Sequence, residues 1–338
     1  MSGRPFTVLV SSAGRRVELL RGFRDALAAA GLAGRVLAAD RSWYSSAFHE
    51  ADEGVLVPAC DDDAFVPAVL ELCDKHAVDL VVPTIDPELP VYAAARERFA
   101  AAGVTVAVSG PETVAIAADK VLTHTWLVEH GLPTVRQAGV DVVRADPPGW
   151  PFPLVVKPRF GSAGIGVSIV SDPDELDTAA RGGEMLLARG GEMVVQEVAP
   201  GREHTIDVLV DASGRCVSAV PRRRLEVRAG EVSKAVTVRS PALEDLAARV
   251  GSALPGAYGP LTVQVFAAGD GGLAVIEVNA RFGGGFPLAR EAGADHPRWL
   301  IEEVAGLPST ADAGAWRAGL VMLRYDAAVF VDEGEREG

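Results

Sequence analysis

The stretch Val155-Val156-Lys157-Pro158-Arg159-Phe160-Gly161-Ser162-Ala163-Gly164-Ile165-Gly166-Val167 constrains the chain more than any other. Two short apolar runs, Val155–Val156 and Val167–Val170, flank a turn with three glycines in six residues. Runs this short suit strands and not helices, so the segment reads as strand, turn, strand. Glycine lets the backbone turn sharply and approach another molecule with no Cβ in the way. Successive N–H groups in such a turn form an anion-binding concavity, and Lys157 adds a positive charge at its mouth, so phosphate is the guest this chemistry suits. The competing reading is a plain β-turn beside a solvated lysine. No Gly-Lys-Ser/Thr triplet opens a helix here, so this is not a Walker loop. A strand follows the glycines, which excludes the dinucleotide fingerprint.

At 338 residues the chain can bury a large core and is long enough for two or three domains. A hydrophobic share of 49% with 23% charged residues is that of a soluble globular enzyme. The net charge of −14 argues against non-specific nucleic-acid binding, which needs a basic surface. A few local cations can still make a positive cleft for an anionic ligand. Cys60, Cys73 and Cys216 fit neither a disulfide framework nor a zinc site, and read as small thiols in or near the core. No apolar run approaches the roughly 20 residues of a membrane span, and Met1–Pro5 leads straight into a core strand. The expectation is a cytoplasmic protein with no membrane or nucleic-acid partner.

The N-terminal third alternates strand and helix. Phe6–Ser11 is an apolar strand, Leu19, Leu20, Phe23 and Leu27 recur at the helical period, Gly31 closes that helix, and Arg35–Ala39 is the next strand. Further strands are expected at Gly54–Pro58, Leu80–Pro83 and Val104–Val108, with helices over 64–76 and 89–102. This β-α-β order predicts an open parallel sheet over residues 1 to about 110. Such sheets put ligands at the carboxyl ends of their strands, where Arg15, Arg16, Thr84, Asp86 and Glu88 fall. The arginines can hold a carboxylate there or form the solvated start of a helix. The acids can meet a ligand or cap the following helix.

Helices are expected over Val114–Val121, carrying Asp119 and Lys120, and over Thr123–Glu129. A proline-rich connector, 146–153, then precedes the glycine hairpin. The strand Glu192–Val198 breaks at Ala199-Pro200-Gly201. Read as an edge strand, it would present an unpaired C=O and N–H at Glu197–Val198, the pair an adenine edge needs; an ordinary bend is the alternative. Arg222-Arg223-Arg224 follows a strand. Alternation puts Arg222 and Arg224 on one face, to neutralise a polyphosphate or to solvate a sheet edge.

Near the C-terminus, Gln264, Glu277, Asn279 and Arg281 are polar residues in apolar strands, and the last three share one face. A carboxylate among Val and Ile needs a partner. Oxygen ligands from Gln264, Glu277 and Asn279, completed by phosphate and water, would suit Mg²⁺; a Glu277–Arg281 salt bridge is the alternative. Phe282-Gly283-Gly284-Gly285-Phe286 reads as a flexible loop able to close over a substrate.

The ordered set Lys120, Val-Val-Lys157-Pro with Gly161–Gly166, Gln196-Glu197-Val198 with Gly201-Arg202-Glu203, and Gln264 with Glu277-Val278-Asn279-Ala280-Arg281 resembles the ATP-grasp superfamily. Within it the chain is similar to the carbamoyl-phosphate synthetase ATP domain and to biotin carboxylase. The resemblance implies a mixed α/β and α+β chain. Residues 1–110 would form a pre-ATP-grasp domain, 111–330 the ATP-grasp core with a lid over about 151–205, and 331–338 a flexible tail. Lys120 and Lys157 would contact phosphates under a lid of Gly161, Ser162, Ala163, Gly164, Ile165 and Gly166. Gln196, Glu197 and Val198 would meet adenine, and Glu203 the ribose. Arg222 and Arg224 would lie near the triphosphate or the substrate. Gln264, Glu277 and Asn279 would hold Mg²⁺, or Mn²⁺ in its place, and Arg281 would stabilise the transferred phosphoryl group. The family often has Glu where Gln264 stands. There is no second ATP-grasp half, so a stand-alone ADP-forming carboxylate–amine ligase is the implied type. A kinase or carboxylase of the same fold and a non-catalytic ATP-binding regulator are the alternatives, and a dimer is the expected assembly.

Overall fold

Short β-branched runs joined by amphipathic helices build the first of three sheets. The strands are β1 (Phe6–Ser11), β2 (Gly34–Asp40), β3 (Glu53–Leu56), β4 (Leu80–Pro83) and β5 (Thr105–Val106). They lie in the order β3-β2-β1-β4-β5, all parallel. β1 is buried along its whole length, as a parallel strand covered on both faces must be. The helix Val17–Ala29 buries Leu19, Leu20, Phe23 and Leu27, the face its periodicity marks. β3 and β5 are shorter than the apolar runs that announce them. The strand order reverses between β1 and β4, and a crevice opens outside their carboxyl ends, where open α/β sheets bind ligands. The computed structural model describes residues 4–161, 164–186, 191–228 and 230–333, without side chains for 184–186. Ser162 and Ala163 of the glycine turn and 334–338 of the expected tail lie outside the described residues.

Four short strands, β6 (Gln137–Gly139), β7 (Leu154–Pro158), β8 (Ser168–Val170) and β9 (Met193–Glu197), form an antiparallel sheet in the order β6-β9-β7-β8. It carries its own small core, with Trp150, Leu154, Val156, Leu176 and Val195 at the centre. β7 and β8 are the two arms of the glycine hairpin.

The largest sheet is antiparallel at every pairing. It runs β14-β13-β10-β11-β12-β15, from β10 (Arg202–Val210), β11 (Cys216–Arg228), β12 (Glu231–Thr237), β13 (Gly259–Ala267), β14 (Leu273–Asn279) and β15 (Val321–Leu323). Ile206, Val208 and Val263 pack into one continuous core with Leu9, Leu37 and Val81 of the parallel sheet. The parallel and large antiparallel sheets are therefore held against each other by buried apolar surface, the dominant favourable term in folding. A bridge between Thr134 and Val275 ties the segment leading to β6 onto β14. Among the described residues no helix is long and apolar enough to cross a membrane.

Candidate active site

Helix capping places the first cation. Asp119 accepts hydrogen bonds from the N–H groups of Val121 (2.8 Å) and Leu122 (3.4 Å), the pattern of an N-cap. The helix expected to run through Val121 therefore stops at Ala118, and Lys120 opens the next one, Lys120–Glu129. Its Nζ donates to the carbonyl of Gly161 at 2.7 Å, so Lys120 touches the glycine turn itself. The Asp119 carboxylate is also held by the Arg159 guanidinium at 2.6 and 2.9 Å, and Arg159 reaches Glu192 as well. This clamp fixes the foot of the hairpin. Gly161, Gly164 and Gly166 all take positive φ, between 71° and 104°, which only glycine adopts freely.

Lys157 leaves β7 as a buried side chain. Burial lowers its ammonium to about 8; the Glu277 carboxylate opposes that shift and Lys120 reinforces it. Lys120 is likewise lowered by burial, with Glu277, Asp86 and Asp119 opposing. Two buried cations, Lys157 from the small sheet and Lys120 from the helix that touches its glycine turn, thus share the field of one carboxylate on the large sheet. Glu277 stands directly across from Gln264 in the β13–β14 register, and Asn279 Nδ2 donates to Glu277 Oε1 at 3.0 Å. One Glu277 oxygen is used, and Glu277, Asn279 and Gln264 line the same cleft. This is a hard-oxygen set with a single charge. Among the described residues no cluster of three or more His, Cys, Asp or Glu could hold a metal by itself. A site of this kind suits Mg²⁺ when phosphate oxygens complete the shell.

A cavity of about 430 Å³ lies between the two larger sheets, walled by Arg16, Asp86, Arg224, Gln264, Glu277, Asn279, Arg281 and the glycines 283–285. Arg281 reaches across it to Asp86 in a bidentate pair at 2.6 and 2.9 Å, so the expected Glu277–Arg281 alternative is not what forms. Glu88, from the same β4 rim as Asp86, is fully buried and accepts from Ser11, Ser12, Thr84 and Ile85. It stitches the rim together and is not part of this cavity's wall.

Two expectations are corrected, the edge strand and the loose glycine loop, and three site residues prove to have partners inside the fold. β9 is an inner strand between β6 and β7 and not an edge, and the N–H of Glu197 donates to Arg136 O at 3.1 Å, which leaves the C=O of Glu197 and the N–H of Val198 as the pair at its end. Val198, just past its end, is 40% exposed, and Gln196 is buried against Gln137. Arg222 is only 3% exposed and pairs with Asp207 at 2.7 Å, so its charge is already met inside the fold although it lines the 430 Å³ cavity. Arg224 and Glu203, given separate roles by sequence, pair with each other. The glycine loop after Arg281 is packed and not loose: a Cβ at Gly285 would overlap the Arg222 guanidinium. The loop is glycine-rich because backbone passes directly over a buried charge.

A family model described as "PylC-like, N-terminal domain" matches residues 8–107. A second, described as "ATP-grasp in the biosynthetic pathway with Ter operon", matches residues 190–327. The chain belongs to the ATP-grasp superfamily. This ATP-grasp chain is 28% identical over 172 residues to the phosphoribosylamine–glycine ligase of Xylella fastidiosa (strain 9a5c), covering 48% of its own length and 38% of the relative. It is 34% identical over 180 residues to the formate-dependent phosphoribosylglycinamide formyltransferase of Synechococcus sp. (strain RCC307), covering 52% and 42%. The chain therefore spans about two-fifths of the length of these curated relatives. Biotin carboxylase from Campylobacter jejuni, solved as a beta-gamma-ATP complex, superposes over 94% of this chain and 74% of its own with a TM-score of 0.74 at 16% identity. That likeness is one of fold.

Proposed function

We propose that this ATP-grasp chain is an ADP-forming ligase that activates a small carboxylate, an amino acid by preference, as an acyl phosphate and joins it to an amine. The observation that carries the reading is the convergence of Lys120 and Lys157 on the field of Glu277, beside a cavity that ends at Arg281. In this reading residues 1–110 present the acid, 111–330 hold the nucleotide, and about 151–205 act as lid. Lys120, Lys157 and the glycine turn would meet the phosphates. Glu277, Asn279 and, more weakly, Gln264 would hold Mg²⁺, which screens the phosphate charge when bound.

A carboxylate oxygen attacks the γ-phosphorus and the bond to the β-phosphate oxygen breaks, releasing ADP. The amine then attacks the acyl carbon, phosphate leaves, and the amine proton passes to solvent. The protein's own part is placement and charge neutralisation, which supply most of the catalysis in phosphoryl transfer. The phosphoribosylamine–glycine ligase among the relatives supports the same bond type.

The test is a screen of amino-acid pairs with Mg-ATP, following ADP and product mass. ADP and a condensed product that require both acid and amine support the ligase. Turnover with bicarbonate alone points to a carboxylase, and nucleotide binding without any turnover rejects the catalytic reading.

A further inference from the structure

A second cavity, of about 410 Å³, opens beside the first and shares Arg16, Gly283 and Gly284 with it. Its walls are mixed: Val17, Phe282, Phe286 and Met322 give an apolar side, Arg15, Glu18, Arg21 and Glu50 a charged rim, and the strap of chain that follows β15 closes over it. Arg16 stands at the neck between the two cavities. No hydrogen bond or ion pair holds its guanidinium among the described residues. Burial lowers it, and Arg281 pushes the same way against the pull of Glu231. The half-buried guanidinium thus has five donors that the described residues leave free for a guest.

Gly284 explains what the neck is open for. A methyl group on its Cα would sit 3.4 Å from Arg16 Nη1 and 3.4 Å from a Glu231 carboxylate oxygen. One unfilled spot is thus flanked by a cation and an anion that do not pair with each other. Glu231 accepts a hydrogen bond from Arg324 at 2.9 Å, and Arg324 also lines the second cavity. The backbone of Gly284 lies outside the left-handed region, so conformation does not require glycine there, and the two side chains leave just enough room for a methyl group.

From this we infer that the neck is a receptor for an α-amino acid zwitterion: Arg16 takes the carboxylate, Glu231 the ammonium group, and the apolar side of the cavity takes the side chain. The inference rests on the ligase reading and narrows its acid to an apolar amino acid such as leucine or phenylalanine. The carboxylate is thereby held where Arg16 faces Arg281, at the entrance to the nucleotide cavity.

The experiment uses the full chain with Mg-ATP, hydroxylamine as trapping amine, and glycine, alanine, leucine or phenylalanine as acid. Hydroxamate formation and the binding of each acid are measured in the wild type, Arg16→Gln and Gly284→Ala. A bidentate carboxylate contact suggests a rise in the KM for leucine of roughly 10- to 100-fold in Arg16→Gln, with ATP affinity unchanged. Gly284→Ala, which the fold accommodates, raises KM similarly without lowering kcat. Leucine and phenylalanine outperform glycine in the wild type. Unchanged KM in both variants, or a preference for glycine, overturns the receptor. If no acid is turned over but leucine binds and does so only with Arg16 present, the receptor stands and the ligase reading fails. If neither leucine nor phenylalanine binds, the receptor is wrong.

Discussion

Lys157 offers a quantitative prediction, because its ammonium sits at about 8 where a free lysine sits at 10.5. The gap corresponds to about 3 kcal/mol against the charged form. Between those two values the unfolded chain holds the proton and the folded chain does not. Stability from this group therefore rises with pH across that window and is lowest below pH 8. A triphosphate beside Lys157 restores the charged form, so nucleotide binding takes up a proton. With an ordinary value in the complex, uptake is about half a proton per nucleotide at pH 8, about nine-tenths at pH 9 and about a tenth at pH 7. Titration calorimetry with Mg²⁺ and a non-hydrolysable ATP analogue, in HEPES and in Tris at each pH, reads this as the dependence of binding enthalpy on the buffer. Lys157→Met removes most of it and leaves the smaller share of Lys120, which is lowered for the same reason. Equal enthalpies in both buffers at pH 8 to 9, or full uptake in Lys157→Met, would refute the placement of the phosphates.

Other consequences concern the frame around the site. Glu277→Gln is expected to cut ADP release by at least about 100-fold while the thermal midpoint moves little, since the carboxylate makes a charge contribution in catalysis and only one described hydrogen bond, from Asn279. Arg222→Met leaves Asp207 buried and uncompensated, so it costs about 3–5 kcal/mol in urea unfolding; the double change with Asp207→Leu recovers most of that loss. Gly285→Ala drives a methyl into the Arg222 guanidinium and costs about 1–3 kcal/mol by overpacking, whereas Gly284→Ala stays close to wild-type stability.

Features governed by local sequence were legible. The helix at Val17–Ala29 follows its 3.6-residue period, the parallel sheet follows the strand–helix alternation, and the hairpin of β7 and β8 follows the glycines that join it. Asp119 was legible in principle, because an Asp directly before a helical run is an N-cap signal. The assignments that changed depend on partners distant in the chain. Asp207 meets Arg222 only once the register of β10 against β11 is fixed, and a one-residue slip would turn either side chain to the other face. Arg281 finds Asp86 across 195 residues of sequence. Whether β9 is an edge or an inner strand turns on β6, three residues long and carrying almost no periodic signal. The same reason hid the Gly285–Arg222 contact: glycine runs read alike whether they flex or pack.

In the proposed complex Lys120, Lys157 and the Glu277 carboxylate of β14 address the same triphosphate. A crystal structure with Mg²⁺ and a non-hydrolysable ATP analogue tests it directly. The expected result is phosphate oxygens within hydrogen-bonding distance of Lys120 and Lys157 and a metal bound to Glu277 on the same phosphates. A nucleotide that binds elsewhere, or that touches the lysines while Glu277 stays out of reach of its metal, would contradict it.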